Sequence, residues 1–153
     1  MQTVIVMCGF PRSGKTTYSK TQLQGYVRVS IDDVIEMTTQ TFNIKFGKFY
    51  QKVENFMIKE LVSKEFNIVI DRTSLTKKSR KRTINKVISA SHSSNLPRPF
   101  LKLIIIETPL DICIERNIQT GKVPKGIFWQ MYRSFEKPTL DEGWDEIIKI
   151  KGN

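Results

Sequence analysis

The chain has 153 residues, 39% of them hydrophobic and 26% charged, with 25 Lys and Arg against 15 Asp and Glu and a formal net charge of +10 at pH 7. That length suits one domain, 1–153, with a real core and leaves no room for a second. No apolar run approaches membrane-spanning length and Met1-Gln2-Thr3 opens no signal-peptide pattern, so a cytosolic location without a membrane partner is expected.

The first strand is expected over Thr3–Met7. Directly behind it, Gly9-Phe10-Pro11-Arg12-Ser13-Gly14-Lys15-Thr16 fits G-x-x-x-x-G-K-[ST] at every fixed position. Such a loop curls successive backbone N–H groups around phosphate oxygens at a helix N-terminus, which small residues permit. Gly9, Arg12, Ser13, Gly14, Lys15, Thr16 and Thr17 are therefore the expected ATP-binding residues. Lys15 would set an ammonium on the β- and γ-phosphates, Thr16 would be a ligand of Mg²⁺, and Thr17 would pack behind them. Cys8, in the same buried strand, and Cys113, in a later helix, are too few for a disulfide framework and lack metal-ligand spacing, so both are read as reduced packing residues.

A second strand, Tyr26–Ser30, ends at Ser30-Ile31-Asp32-Asp33. Asp32 there either takes a proton from an attacking hydroxyl or caps the next helix, and Asp33 either meets the acceptor or adds a first-turn charge. Over Lys48–Phe66, Phe49, Val53, Phe56, Met57 and Leu61 fall at helical spacing and read as the packing face of a helix, not as a base-stacking platform. The third strand, Asn67–Ile70, runs into Asp71-Arg72-Thr73-Ser74. Asp71 sits where a carboxylate can hold the Mg²⁺ shell, directly or through water, with Arg72 and Thr73 near the acceptor.

Ser74 or Thr76 is expected to cap a helix reaching about Ser89. Its basic residues Lys77, Lys78, Arg80, Lys81, Arg82 and Lys86 would spread over more than one face, as a solvated surface or a nucleic-acid site. Ala90–Pro99 reads as a polar connection holding the one histidine, His92. A fourth strand, Leu101–Ile106, precedes a helix Leu110–Ile118 begun at Pro109. Arg116 there, with Lys122 in the Gly- and Pro-bearing stretch 119–125, suits a lid closing on transferring phosphate, although a surface charge at a helix end explains Arg116 alone equally simply. A further helix runs to Phe135, and Glu146–Ile150, which alternates, reads as a strand near an edge. Strands alternating with helices predict an α/β fold with a parallel sheet.

Taken together and in order, the loop, Gly25-Tyr26-Val27-Arg28-Val29-Ser30-Ile31-Asp32, Ile70-Asp71-Arg72-Thr73-Ser74-Leu75 and Glu115-Arg116-Asn117 resemble the kinase domain of the 5′-hydroxyl polynucleotide kinases, over nearly the whole chain. The segment Tyr132–Trp144 is similar to the C-terminal segment of the animal members. The resemblance implies a P-loop kinase fold with a five-stranded parallel sheet, helices on both faces and an adenylate-kinase-like lid. It implies ATP as donor, Mg²⁺ as cofactor and the 5′-hydroxyl end of DNA or RNA as acceptor and partner. Asp32 becomes the general base and Arg116 the lid arginine, with Lys15 and Thr16 carried over directly. The pattern departs from the family where Ser30-Ile31-Asp32 replaces Asn-Arg-Asp, where Ile35 stands for an acceptor-gripping arginine of the phage enzyme, and where Thr120 falls near a second lid arginine. These departures leave open a different hydroxyl acceptor: a hydroxymethylated base in DNA, a tRNA-linked serine or a small metabolite. A nucleotide-binding module without transfer activity is the reading from another class.

Overall fold

A computed structural model describes residues 1–152. In chain order the regular elements are β1 (Thr3–Cys8), α1 (Lys15–Gln22), β2 (Val27–Val29), α2 (Ile31–Thr38), α3 (Gly47–Ser63), β3 (Ile68–Ile70), α4 (Lys77–Ser93), β4 (Phe100–Glu107), α5 (Leu110–Thr120), α6 (Lys125–Ser134) and β5 (Glu146–Lys151), with short 3-10 turns at Ile44–Phe46 and Leu140–Glu142. The strands form one sheet of five in the order β2-β3-β1-β4-β5, and every pairing is parallel. This is the P-loop kinase fold, as expected. No described helix is long and apolar enough to cross a membrane.

The central strands are apolar and largely β-branched because both their faces are covered. Val4, Val6 and Cys8 of β1 point to one side, with Ile58 and Val62 of α3 and Ile84 and Val87 of α4. Ile5 and Met7 point to the other, where Tyr18 and Leu23 pack at the α1 end. The alternating β5 takes an edge, as its pattern predicted. From β1 the chain crosses to β2 on the far left and returns through β3, then leaves rightward to β4. The C-terminal end of β1 is thus the point where strand order reverses, the place where such sheets bind ligands.

Several expectations are corrected. Helix α3 buries Tyr50, Glu54, Ile58 and Val62 at i, i+4 spacing; of the expected packing face Met57 and Leu61 pack partly against the core, whereas Phe49 and Phe56 are exposed. The inner face carries a charge, Glu54, which a hydrophobic count rejects; ion pairs to Arg72 at 2.7 Å and Lys86 at 3.8 Å offset part of its burial, although neither of its oxygens accepts a hydrogen bond among the described residues. Helix α4 continues to Ser93, which puts His92 in its last turn and not in a connection, because Ala90 and Ser91 are buried and the hydroxyls of Ser91, Ser93 and Ser94 donate to carbonyls of the preceding turn. Thr76, not Ser74, caps that helix, in a capping box with Ser79. Arg80 does not join the surface cations. It is wholly buried, with Nε and Nη2 donating to the two Glu142 oxygens at 2.7 and 2.8 Å and Nη1 to Ser74 O at 3.0 Å.

Candidate active site

The loop from Gly9 to Gly14 leaves β1 in left-handed backbone: φ is 155° at Gly9, 65° at Arg12 and 102° at Gly14. A Cβ on Gly9 would stand 2.8 Å from Ser13 Oγ and 3.0 Å from Ile106 O, so glycine is required there for space as well as conformation. Arg12, with a side chain in the αL region, holds strain of order 1 kcal/mol. The loop is tied down at both sides, by Gly9 N–H donating to Thr73 O at 3.0 Å and by Thr108 Oγ1 donating to Ser13 O at 2.7 Å. Gly14 supplies no side-chain cap, so the opening amides of α1 are left without a side-chain partner from it.

Lys15 is buried, and its ammonium donates to Phe10 O at 2.7 Å. Burial lowers its pKa, against the pull of the Asp71 carboxylate and, more weakly, of Asp32. A buried ammonium with a single neutral acceptor fits a place meant for phosphate oxygens. Ser13 Oγ, buried with no hydrogen-bond partner among the described residues, is a second such group. Thr16 Oγ1 donates to Asp71 Oδ2 at 2.8 Å, which brings together the two oxygen-bearing side chains expected at Mg²⁺. This donor set, a hydroxyl and a carboxylate beside uncapped amides, fits a hard divalent cation shared with phosphates.

Asp71 follows β3, and its N–H donates to Val29 O at 2.9 Å, continuing the ladder with β2. That register sets it beside Arg28, whose Nε donates to Asp71 Oδ2 at 3.0 Å while its other nitrogens pair with Asp33. Although partial burial opposes the charge, hydrogen bonds to Asp33 and Asp71 raise the Arg28 pKa further. Arg28 was missed as a site residue; its one local signal is a cation between two valines of a short strand. Asp33 and Arg72, expected near the acceptor, are held by Arg28 and by Glu54 respectively.

Asp32 does not cap α2, since Ser30 is the residue at that position and makes no side-chain cap. It is exposed in the first turn and forms no ion pair or hydrogen bond among the described residues. Arg116 Nη1 donates to Arg12 O at 3.1 Å, which brings helix α5 onto the loop. A cavity of about 720 Å³ there is lined by Lys15, Thr16 and Thr17 of the loop and α1, by Arg116 and Thr120 of α5, and by Lys151 of β5. The stretch expected as a lid divides: Gln119 and Thr120 end α5, Gly121–Pro124 form a turn whose Val123 is clamped by the Asn117 amide, and Lys125 starts α6. Lys122 is exposed in that turn, outside the cavity lining. The Thr73 side chain is half-buried beside the Gly9 anchor.

Residues 4–138 match the family model described as AAA domain. The chain is 27% identical over 149 residues to the L-seryl-tRNA(Sec) kinase of Methanococcus maripaludis, covering 93% of this chain and 56% of that protein. It is 24% identical over 157 residues to the bifunctional polynucleotide phosphatase/kinase of Schizosaccharomyces pombe, covering 97% of this chain and 33% of that protein. It therefore spans only about half and a third of these curated relatives. Among solved structures, a chain of the Pnkp1/Rnl/Hen1 RNA repair complex superposes with a TM-score of 0.71 at 20% identity, over 87% of this chain and 43% of that one. A putative kinase from Chloroflexus aurantiacus gives 0.71 at 15% identity, over 99% and 86%. The uncapped loop amides, the buried Lys15 and the paired Thr16 and Asp71 agree with these likenesses: the chain belongs to the AAA domain family and has the P-loop kinase fold, whose members generally use ATP and Mg²⁺.

Proposed function

We propose that this kinase transfers the γ-phosphate of ATP to a 5′-hydroxyl end of DNA or RNA, with Asp32 as general base. The observation that carries the reading is the contrast among three carboxylates at one sheet edge. Asp33 and Asp71 are held by Arg28, whereas the Asp32 side chain is exposed and unpaired among the described residues. A base must be free to reach the acceptor proton, and Asp32 alone of the three is.

Lys15 and the α1 amides bind the β- and γ-phosphates, and Arg116, resting on the loop carbonyl of Arg12, stabilises charge on the transferred group. Thr16 and Asp71 would hold Mg²⁺, directly or through water, and the ion would offset charge gathering on the phosphate oxygens. Asp33 and Arg72 fix the wall of the acceptor side through their ion pairs, while Thr73 and Lys122 are the groups left to meet the acceptor. The similarity to a polynucleotide phosphatase/kinase over 97% of this chain supports the acceptor class.

A second reading keeps the same chemistry with the hydroxyl of a tRNA-linked serine as acceptor. The 27% identity to an L-seryl-tRNA(Sec) kinase favours it, as does Ile35 where the phage polynucleotide kinase carries a gripping arginine. Label transfer from γ-labelled ATP to 5′-hydroxyl oligonucleotides, seryl-tRNA, hydroxymethyluracil duplex and small hydroxyl compounds separates the two. Label on the oligonucleotide 5′ end alone supports the first, and label on seryl-tRNA alone replaces it with the second. Asp32→Asn is expected to slow transfer about a hundredfold or more with ATP affinity retained, and near-wild-type transfer would remove Asp32 from the role.

A further inference from the structure

Helix α4 gathers its surface cations instead of scattering them. With Arg80 turned inward, Lys78, Lys81, Arg82, Asn85, Lys86 and Ser89 fall at helical spacing along one side and line a shallow groove of about 570 Å³. The lining has neither an acidic nor an aromatic residue. Lys78, Lys81 and Arg82 pair with no carboxylate among the described residues, and Lys86 has only the shared Glu54 at 3.8 Å. Partial burial lowers the Lys86 pKa, Arg72 and Arg82 adding to this and Glu54 opposing it. The cluster therefore carries more positive charge than the protein itself neutralises.

We propose that this face of α4 binds the phosphodiester backbone of the nucleic acid whose hydroxyl is phosphorylated, outside the ATP cleft; this rests on the nucleic-acid acceptor reading above. Glu54 joins Lys86 to Arg72, the residue directly after Asp71, so the stripe shares an anchor with the acceptor side of the cleft. From Lys78 to Ser89 the helix rises about 17 Å, long enough for its cations to meet several successive phosphates of one strand. Ammonium, guanidinium, amide and hydroxyl groups with no stacking partner suit backbone contacts without base reading. An acidic protein segment would meet the same charges, but nothing apolar on this face would anchor it.

The test is anisotropy of a fluorescein-labelled single-stranded 20-nucleotide RNA and of a DNA hairpin with the full chain, from 50 to 300 mM KCl. The variant combining Lys78→Ala, Lys81→Ala and Arg82→Ala should lower the slope of log affinity against log salt by about two units on the single strand, at about 0.7 for each phosphate no longer neutralised, with affinity down at least about tenfold at 100 mM. Combining Lys78→Arg, Lys81→Arg and Arg82→Lys should restore both. Unchanged ATP affinity in both variants verifies the fold. An unchanged slope, no nucleic-acid binding by the wild-type chain at 50 mM salt, or equal binding of polyglutamate overturns the stripe. If the slope falls but no nucleic-acid hydroxyl accepts phosphate, the stripe stands and the acceptor reading fails; if transfer to the oligonucleotide persists in the alanine variant with unchanged KM, the reverse holds.

Discussion

Arg28 Nε stands 3.0 Å from Asp71 Oδ2, the same oxygen that accepts the Thr16 hydroxyl at 2.8 Å, so a residue of the edge strand sets the direction of the carboxylate beside the phosphate loop. In the proposed site Asp71 is a Mg²⁺ ligand, and side chains behind such a ligand tune affinity without touching the metal. Arg28→Ala is expected to weaken Mg²⁺-dependent ATP binding about tenfold or more and to cost ~3 kcal/mol by leaving the buried Asp71 charge half-compensated. Arg28→Lys should recover part of both, since an ammonium cannot span Asp71 and Asp33 as the guanidinium fork does. Titration calorimetry and urea unfolding read the two effects, and an unaltered Mg²⁺ dependence in Arg28→Ala would separate Arg28 from the metal.

Lys15 is charged at a cost when no phosphate is present, because burial lowers its pKa below the ordinary lysine value. Its folded pKa lies below its unfolded one, so the penalty is full at lower pH and fades as pH rises through the folded value toward the unfolded one. Lys15→Met should therefore be more stable than the nucleotide-free wild type at pH 7, by ~1 kcal/mol, while losing ATP binding. The gap in urea midpoint should narrow as pH rises toward the ordinary lysine value of 10.5. A gap that widens there would contradict the assignment.

Glu142 shows the opposite sign. Burial by itself would raise its pKa, but hydrogen bonds from Arg80 and the Trp144 indole hold it below the ordinary carboxylate value. Its stabilisation is thus complete above the unfolded carboxylate pKa and is lost as pH falls through the folded one. Glu142→Ala should destabilise the protein by ~3 kcal/mol at pH 7, stranding the buried Arg80 charge. The difference from wild type should shrink as pH is lowered below about 4.5. Denaturant titrations across pH 3 to 7 check this.

Gly152 has no room for a methyl group: a Cβ there would lie 1.5 Å from Thr108 Oγ1, the hydroxyl that donates to Ser13 O, and 3.1 Å from that carbonyl. Gly152→Ala should push Thr108 off the loop, raising KM for ATP severalfold and costing ~1 to 3 kcal/mol as an overpacked site. Parallel measurement of KM and thermal stability tests it. Lowered stability with an unchanged KM would mean that the loop does not depend on this anchor.

Local order of the sheet and loop was legible in the residues. Apolar runs such as Leu101–Ile106 mark strands by their own composition, and Gly9–Thr16 marks its loop because the required conformations belong to the residues that adopt them. The inner face of α3 was not, since Glu54 is admissible there only through Arg72 and Lys86 from elsewhere in the chain. Nor was the separation of Arg80 from its basic neighbours, which depends on Glu142 far along the chain. The two cysteines behaved as read: both are buried, and burial raises the Cys8 pKa to about 11.

The sequence by itself determined a phosphate-binding loop between a buried strand and a helix, the alternation of strands and helices, and the residues available at the strand ends. Only the tertiary structure decided which of those residues are free and which are held. Strand order sets β2 beside β3 and so closes Arg28 on Asp71 and Asp33, leaving Asp32 unpaired among the described residues. Backbone preferences act between near neighbours and can be read along the chain, whereas charge pairing acts through space and exists only once the sheet has brought distant residues together.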